Sequence, residues 1–111
     1  MKLLIIVSFF SLSSLHVLAQ NITTQQYIDT YKNIAEEEMK RTGVPAAISL
    51  AQGIVETDSG NGWLVQHSNN HFGVKCKDTW QGKTVLYDDD KKNECFRKYD
   101  DAEDSWKDHS D

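Results

Sequence analysis

The chain has 111 residues, 39% of them hydrophobic and 26% charged, which allows one small domain with a modest core and excludes two. Its formal net charge is −5, and −6 once Lys2 is removed with its leader. That balance excludes recognition of DNA or RNA through phosphate neutralisation, which needs clustered Lys and Arg.

Residues 1–19 read as an export signal. Lys2 supplies a positive start, Leu3 to Leu12 an apolar stretch broken by Ser8 and Ser11, and Val17-Leu18-Ala19 a small-residue cleavage site. The stretch is shorter than the roughly 20 apolar residues that span a bilayer. No stable membrane insertion is therefore expected after cleavage. Residues 20–111 form the expected domain, a monomer exported to the periplasm, the cell envelope or the medium.

From Thr23 to Arg41, Tyr27, Tyr31, Ile34, Ala35 and Glu38-Met39 recur at helical spacing. Thr23 and Gln26 make a capping box, Lys40 and Arg41 suit the negative end of the helix, and Gly43 can stop it. A second helix is predicted from Pro45 to about Ser59-Gly60, with Ala47, Ile48, Ala51, Ile54 and Val55 as its apolar stripe. Gly53 within it predicts a close packing contact.

Beyond Gly62, Trp63-Leu64-Val65 is an apolar patch followed by the polar loop Gln66 to Asn70. Phe72 to Cys76, Lys83 to Tyr87 and Glu94 to Tyr99 read as short antiparallel strands, the last two joined by the turn Asp88 to Asn93. Asp100-Asp101 can cap a final helix through Trp106. Cys76 and Cys95 are the only cysteines, and an exported compartment lets them form a disulfide. A zinc site joining them to His71 and His109 lacks the usual ligand spacings, so no metal and no cofactor are expected.

Glu56 is the leading candidate for chemistry. It follows Ile54-Val55 in the last turn of a predicted helix and precedes the flexible Ser59-Gly60-Asn61-Gly62. Carbonyl dipoles at a helix C-terminus disfavour a negative charge, and apolar neighbours disfavour it further, so a carboxyl group there tends to keep its proton. Glycosidic cleavage needs such an acid to protonate the departing sugar oxygen. The plain alternative is a partly exposed glutamate beside Asp58 with no chemistry.

Several ordered blocks carry a resemblance: Gly43-Val44-Pro45-Ala46-Ala47-Ile48, Leu50-Ala51-Gln52-Gly53-Ile54-Val55-Glu56-Thr57, and Asn69-Asn70-His71-Phe72-Gly73-Val74-Lys75-Cys76. Glu94-Cys95-Phe96-Arg97-Lys98-Tyr99 and Asp108-His109-Ser110 complete it. From about Tyr27 to its end the chain resembles the glucosaminidase family of peptidoglycan hydrolases, glycoside hydrolase family 73. The resemblance implies an α+β, lysozyme-like fold, mainly helical with a small antiparallel β lobe beside the cleft. It implies Glu56 as general acid and peptidoglycan glycan strands as partner, cut at the β-1,4 bond after N-acetylglucosamine. Because those strands also carry carboxylates, contacts to sugar hydroxyls and rings must replace general charge attraction. Family domains continue for several more helices and draw an aromatic residue near the cleft from that later part, so the domain is expected to be incomplete at its C-terminus. Muramidase or lytic transglycosylase specificity, and an inactive wall-binding remnant, are the alternatives.

A two-carboxylate glycosidase sets the second group about 5–5.5 Å away as nucleophile, or roughly 6.5–9.5 Å away as base for a water. Asp88, Asp89, Asp90 and Glu94 are the candidates, with Asp89 and Asp90 favoured because the hairpin turn can overhang the cleft. A solvated turn without chemistry, or assistance from the substrate's N-acetyl group, are the alternatives. Asn70, Phe72 and Trp80 are the expected substrate-binding residues, Trp80 as the exposed aromatic. Trp63 can also offer a face to a sugar ring. Loop-tying is the structural alternative for Asn70, and core packing is the alternative for the three aromatics.

Overall fold

The computed structural model describes residues 21–111. The proposed export signal lies outside them. Four helices, α1 (Thr24–Thr42), α2 (Ala46–Thr57), α3 (Trp63–Ser68) and α4 (Ala102–Ser110), accompany a hairpin of β1 (Thr84–Tyr87) and β2 (Glu94–Arg97), with α1 packed on α2 and α4, and α3 against β1. The class is α+β, mainly helical with a small antiparallel lobe, as expected. Among the described residues no helix is long and apolar enough to cross a membrane.

Local signals explain α1 at both ends. Thr23 accepts from Gln26 N while the Gln26 side chain accepts from Thr23 N, and Gly43 closes the helix at φ +83° with its N–H on Met39 O. Its inward face buries Tyr27 and Ala35 against Trp106 of α4, with Tyr31, Ile34, Ala46, Leu50, Ile54 and Phe72 packed around them. Tyr31 stacks on Trp106 with centroids 5.3 Å apart.

The buried face of α2 differs from the predicted stripe. Ser49, Gly53 and Thr57 are buried, whereas Ile48 is 54% and Val55 80% exposed. Ala47 and Ala51 are exposed as well. Close approach is the physical reason. A methyl group at Gly53 would overlap the Tyr27 hydroxyl, so α2 rolls to set Gly53 against Tyr27 with Leu50 and Ile54 beside it, which leaves Ile48 and Val55 outside.

Two further differences shape the cleft. The patch from Trp63 forms a short helix, ended by Asn69 at φ 55°. The predicted strand Phe72–Cys76 is an irregular run beside β2, joined by a bridge between Lys75 and Phe96 and by Arg97 N donating to Val74 O at 3.0 Å. Left-handed residues at Gly73 (φ 63°) and Lys77 (φ 52°) break the extended conformation. A disulfide, S–S 2.03 Å, joins Cys76 to Cys95 and fastens this run to β2. At the start of α4, Asp101 accepts from Asp104 N, which confirms the expected cap.

Candidate active site

Glu56 occupies the last turn of α2, where the chain reverses. Asp58 (φ 51°), Ser59 (φ 54°) and Gly60 (φ 87°) are all left-handed. Thr57 locks this reversal from inside: its hydroxyl donates to Gly53 O at 2.6 Å and accepts from Gly60 N at 2.8 Å. With Thr57 turned inward, the neighbouring Glu56 side chain faces the surface and lines an open cavity of about 230 Å³. The apolar enclosure expected for Glu56 is absent, because Val55 points into solvent.

Trp63, Val65, Gly73, Tyr87, Asp89 and Phe96 share that cavity. Gly73 matters most for the carboxylate. A Cβ at this position would stand 3.0 Å from Glu56 Oε2, and its φ of +63° already disfavours any other residue. The Asn70 side chain shapes this loop. Its amide nitrogen donates to Val74 O and Arg97 O, both at 2.9 Å, and its oxygen accepts from Val74 N at 3.0 Å. At 2% exposure, Asn70 is a loop tie without a free group for a sugar, the structural alternative named above.

The hairpin turn separates the four acidic candidates. Asp88 Oδ1 accepts from Asn93 N at 2.7 Å and closes the turn. Lys75 Nζ lies 2.8 Å from Glu94 Oε1 and 3.7 Å from Asp90 Oδ2. Of the four, Asp89 lines the cavity with Glu56; Asp90 does not.

Of the expected aromatic platforms, Phe72 and Trp80 lie elsewhere. Phe72 packs in the core, edge-on to Trp106 at 4.9 Å and stacked on His109 at 3.8 Å. Trp80 donates its indole N–H to Lys83 O at 2.8 Å and carries the Arg97 guanidinium 4.8 Å above its ring. Gly82 sits close against that ring. Trp80 lines a separate cavity of about 480 Å³ with Tyr99, Lys107 and Asp108, none of which lines the Glu56 cavity. Pairing with Arg97 and Gly82 is the physical reason it is not an open platform beside Glu56. Trp63, which the sequence did offer as a sugar-facing aromatic, lines the Glu56 cavity, and so does Tyr87, which sequence reasoning missed. The usable signal was period two along β1, which sets Tyr87 on the face of Val85 next to the acidic turn.

His71 is the buried base of the neighbourhood. Its Nδ1 lies 2.7 Å from the Tyr27 hydroxyl, and its backbone N–H donates to Ser105 Oγ at 3.0 Å. Burial pushes its imidazole down to about 4 and raises the Tyr27 hydroxyl well above the usual range. Both groups are therefore neutral at pH 7, and they tie the Gly73 loop to α1 beneath Glu56.

Residues 32–111 match the glucosaminidase family, described as mannosyl-glycoprotein endo-beta-N-acetylglucosaminidase. The peptidoglycan hydrolase FlgJ of Vibrio parahaemolyticus is 31% identical over 106 residues, covering 85% of this chain and 34% of that protein. A crystal structure of a peptidoglycan hydrolase from Sphingomonas sp. A1 superposes with a TM-score of 0.69 at 29% identity, over 78% of this chain and 59% of that one. An N-acetylmuramoyl-L-alanine amidase from Staphylococcus aureus gives 0.69 at 29% identity, over 83% of this chain and 28% of that one. The chain thus spans about a third of the curated relative and just under three fifths of the Sphingomonas structure.

Proposed function

From the premise that this chain belongs to the glucosaminidase family, we propose that it is an exported hydrolase of peptidoglycan. It cleaves the β-1,4 bond after N-acetylglucosamine with Glu56 as general acid. The observation that carries this reading is the shared cavity. Glu56 and Asp89 line one open cleft, and Gly73 lies against the Glu56 carboxylate, where an added Cβ would stand 3.0 Å from Oε2.

The chemistry follows from that pairing. Glu56 gives its proton to the departing sugar oxygen as the bond to the anomeric carbon breaks, and Asp89 supports the positive charge that develops on the sugar. A water molecule then adds to the anomeric carbon and gives up a proton that restores Glu56. Bound glycan displaces water from the cleft, so the proton transfer takes place away from bulk solvent. Residues 1–19 serve as the export leader in this reading, and no metal or cofactor takes part.

Glu56→Gln keeps the size and hydrogen bonding of the side chain but has no acidic proton. A loss of wall clearing by at least a hundredfold in a turbidity assay, with unchanged circular dichroism, is expected. Undiminished clearing would remove Glu56 from the mechanism. Mass spectrometry of the released ends tests the bond. A reducing N-acetylglucosamine end is expected, whereas a muramic acid end, an anhydro end or a free stem peptide would each reject the glucosaminidase assignment.

A further inference from the structure

Trp63 at the start of α3 and Tyr87 at the end of β1 lie with their rings nearly parallel, 9° apart, and with centroids at 5.4 Å. His67, one helical turn after Trp63, stacks on the indole at 4.1 Å and 16°. Its Nδ1 is 2.8 Å from Trp63 O, which fixes the imidazole in place. Three rings thus form one pile across the two walls of the cleft, helix on one side and hairpin on the other. Such piles are normally buried, as Trp106 is at 0% exposure, yet here Trp63 is 45% and Tyr87 37% exposed. Both rings also line the cavity of Glu56 and Asp89.

Resting on the glycosidase reading above, we propose that this pile is a carbohydrate subsite, which seats an N-acetylhexosamine ring of a β-1,4 glycan against Tyr87 and the indole edge of Trp63. The indole has both faces covered, by His67 and by Tyr87, so it offers its rim. Tyr87 has one face on the indole and meets Phe96 edge-on at 6.1 Å, which leaves ring surface facing outward. A pyranose is amphipathic in the matching way. Its axial C–H groups suit an aromatic face, and its equatorial hydroxyls are donors for nearby carboxylates. Asp89, which lines the same cavity, offers carboxylate oxygens that can accept from such hydroxyls. The pile is also rigid before binding. Its three rings are held by one another and by two secondary-structure elements, so little side-chain entropy remains to be lost when the sugar docks.

The test measures binding and cleavage separately. In the Glu56→Gln background, which removes turnover, titration calorimetry with N-acetylglucosamine tetrasaccharide is expected to show Tyr87→Leu weakened about tenfold and Tyr87→Phe unchanged. Leucine keeps an apolar contact with Trp63, so the melting temperature of Tyr87→Leu should stay close to its parent and rule out simple unfolding. Equal affinity of Tyr87→Leu and its parent would overturn the subsite while leaving the glycosidase reading intact. Tyr87-dependent binding in a protein that never clears walls would support the subsite and reject the glycosidase reading.

Discussion

Asp89 and Asp90 are adjacent in sequence but differ in surroundings. Asp90 stands 3.7 Å from Lys75, whereas Asp89 faces the Glu56 cavity and has its backbone N–H on Lys91 O at 3.0 Å. Asp89→Asn is therefore expected to lower kcat for wall glycan by at least tenfold, and Asp90→Asn by less than twofold. Steady-state rates on purified sacculi check this, and equal losses from both would return the turn to ordinary hairpin chemistry. His71 carries a second expectation at this scale. The groups packed on it are aromatic, Tyr27 and Tyr31 of α1 and Trp106 of α4. Burial lowers its imidazole from 6.5 to about 4, so between those values the unfolded chain binds the proton and the folded one does not. Stability from this group is thus complete above pH 6.5 and falls as the pH drops toward 4, by on the order of 3 kcal/mol in total. Urea denaturation across that window should show the loss, and His71→Gln should flatten it. An unchanged slope would mean that the imidazole titrates freely. The sequence revealed the place of Glu56 because a helix stop is written in local residues. It did not reveal which way Val55 points, because that depends on how α2 rolls against α1.

That roll is set at the level of helices. α1 was readable at both ends, since Thr23, Gln26 and Gly43 act on backbone within a few residues of themselves. The stripe of α2 was misjudged for the opposite reason. Hydrophobic periodicity ranks faces by side-chain size, but this helix turns Gly53 under the Tyr27 hydroxyl, with Leu50 and Ile54 packed beside it and Ile48 and Val55 left outside. The predicted strand at Phe72 failed because Gly73 and Lys77 take left-handed conformations that fit the loop to Glu56 and to the hairpin. Gly53→Ala tests the helix contact. Alanine is the better helix former by about 1 kcal/mol, so an isolated α2 would gain from the change. In this fold the new methyl meets the Tyr27 hydroxyl, and a net loss of roughly 1–3 kcal/mol is expected. Tyr27→Phe removes the overlapping oxygen, so Gly53→Ala should cost less in that background. A double-mutant cycle on denaturation midpoints measures the coupling, and strict additivity would mean that the helices do not meet here.

The molecule as a whole divides its stability between two regions, and its cleft lies on the seam. The helices are held by the aromatic cluster of Tyr27, Tyr31, Phe72 and Trp106. The β lobe has four paired residues in each strand, and the Cys76–Cys95 link fastens β2 to the preceding run, beside the buried Phe96 and the Arg97–Asp108 pair. The two cysteines are 19 residues apart, and chain-entropy arguments give about 3 kcal/mol for closing a loop of that size. For a domain this small the loss corresponds to a melting temperature lower by roughly 12–24 °C. The effect should nevertheless be uneven. Glu56 is carried by α2, which belongs to the helical region, whereas Asp89 and Tyr87 are carried by the hairpin and Gly73 by the run that the disulfide anchors. Reduction is therefore expected to abolish glycan cleavage at temperatures where far-ultraviolet circular dichroism still reports most of the helix. Cys76→Ser/Cys95→Ser should behave as the reduced protein does. If cleavage and helical signal vanish together along one thermal curve, the two regions form a single cooperative unit, and the hairpin owes its place to the helices rather than to the disulfide.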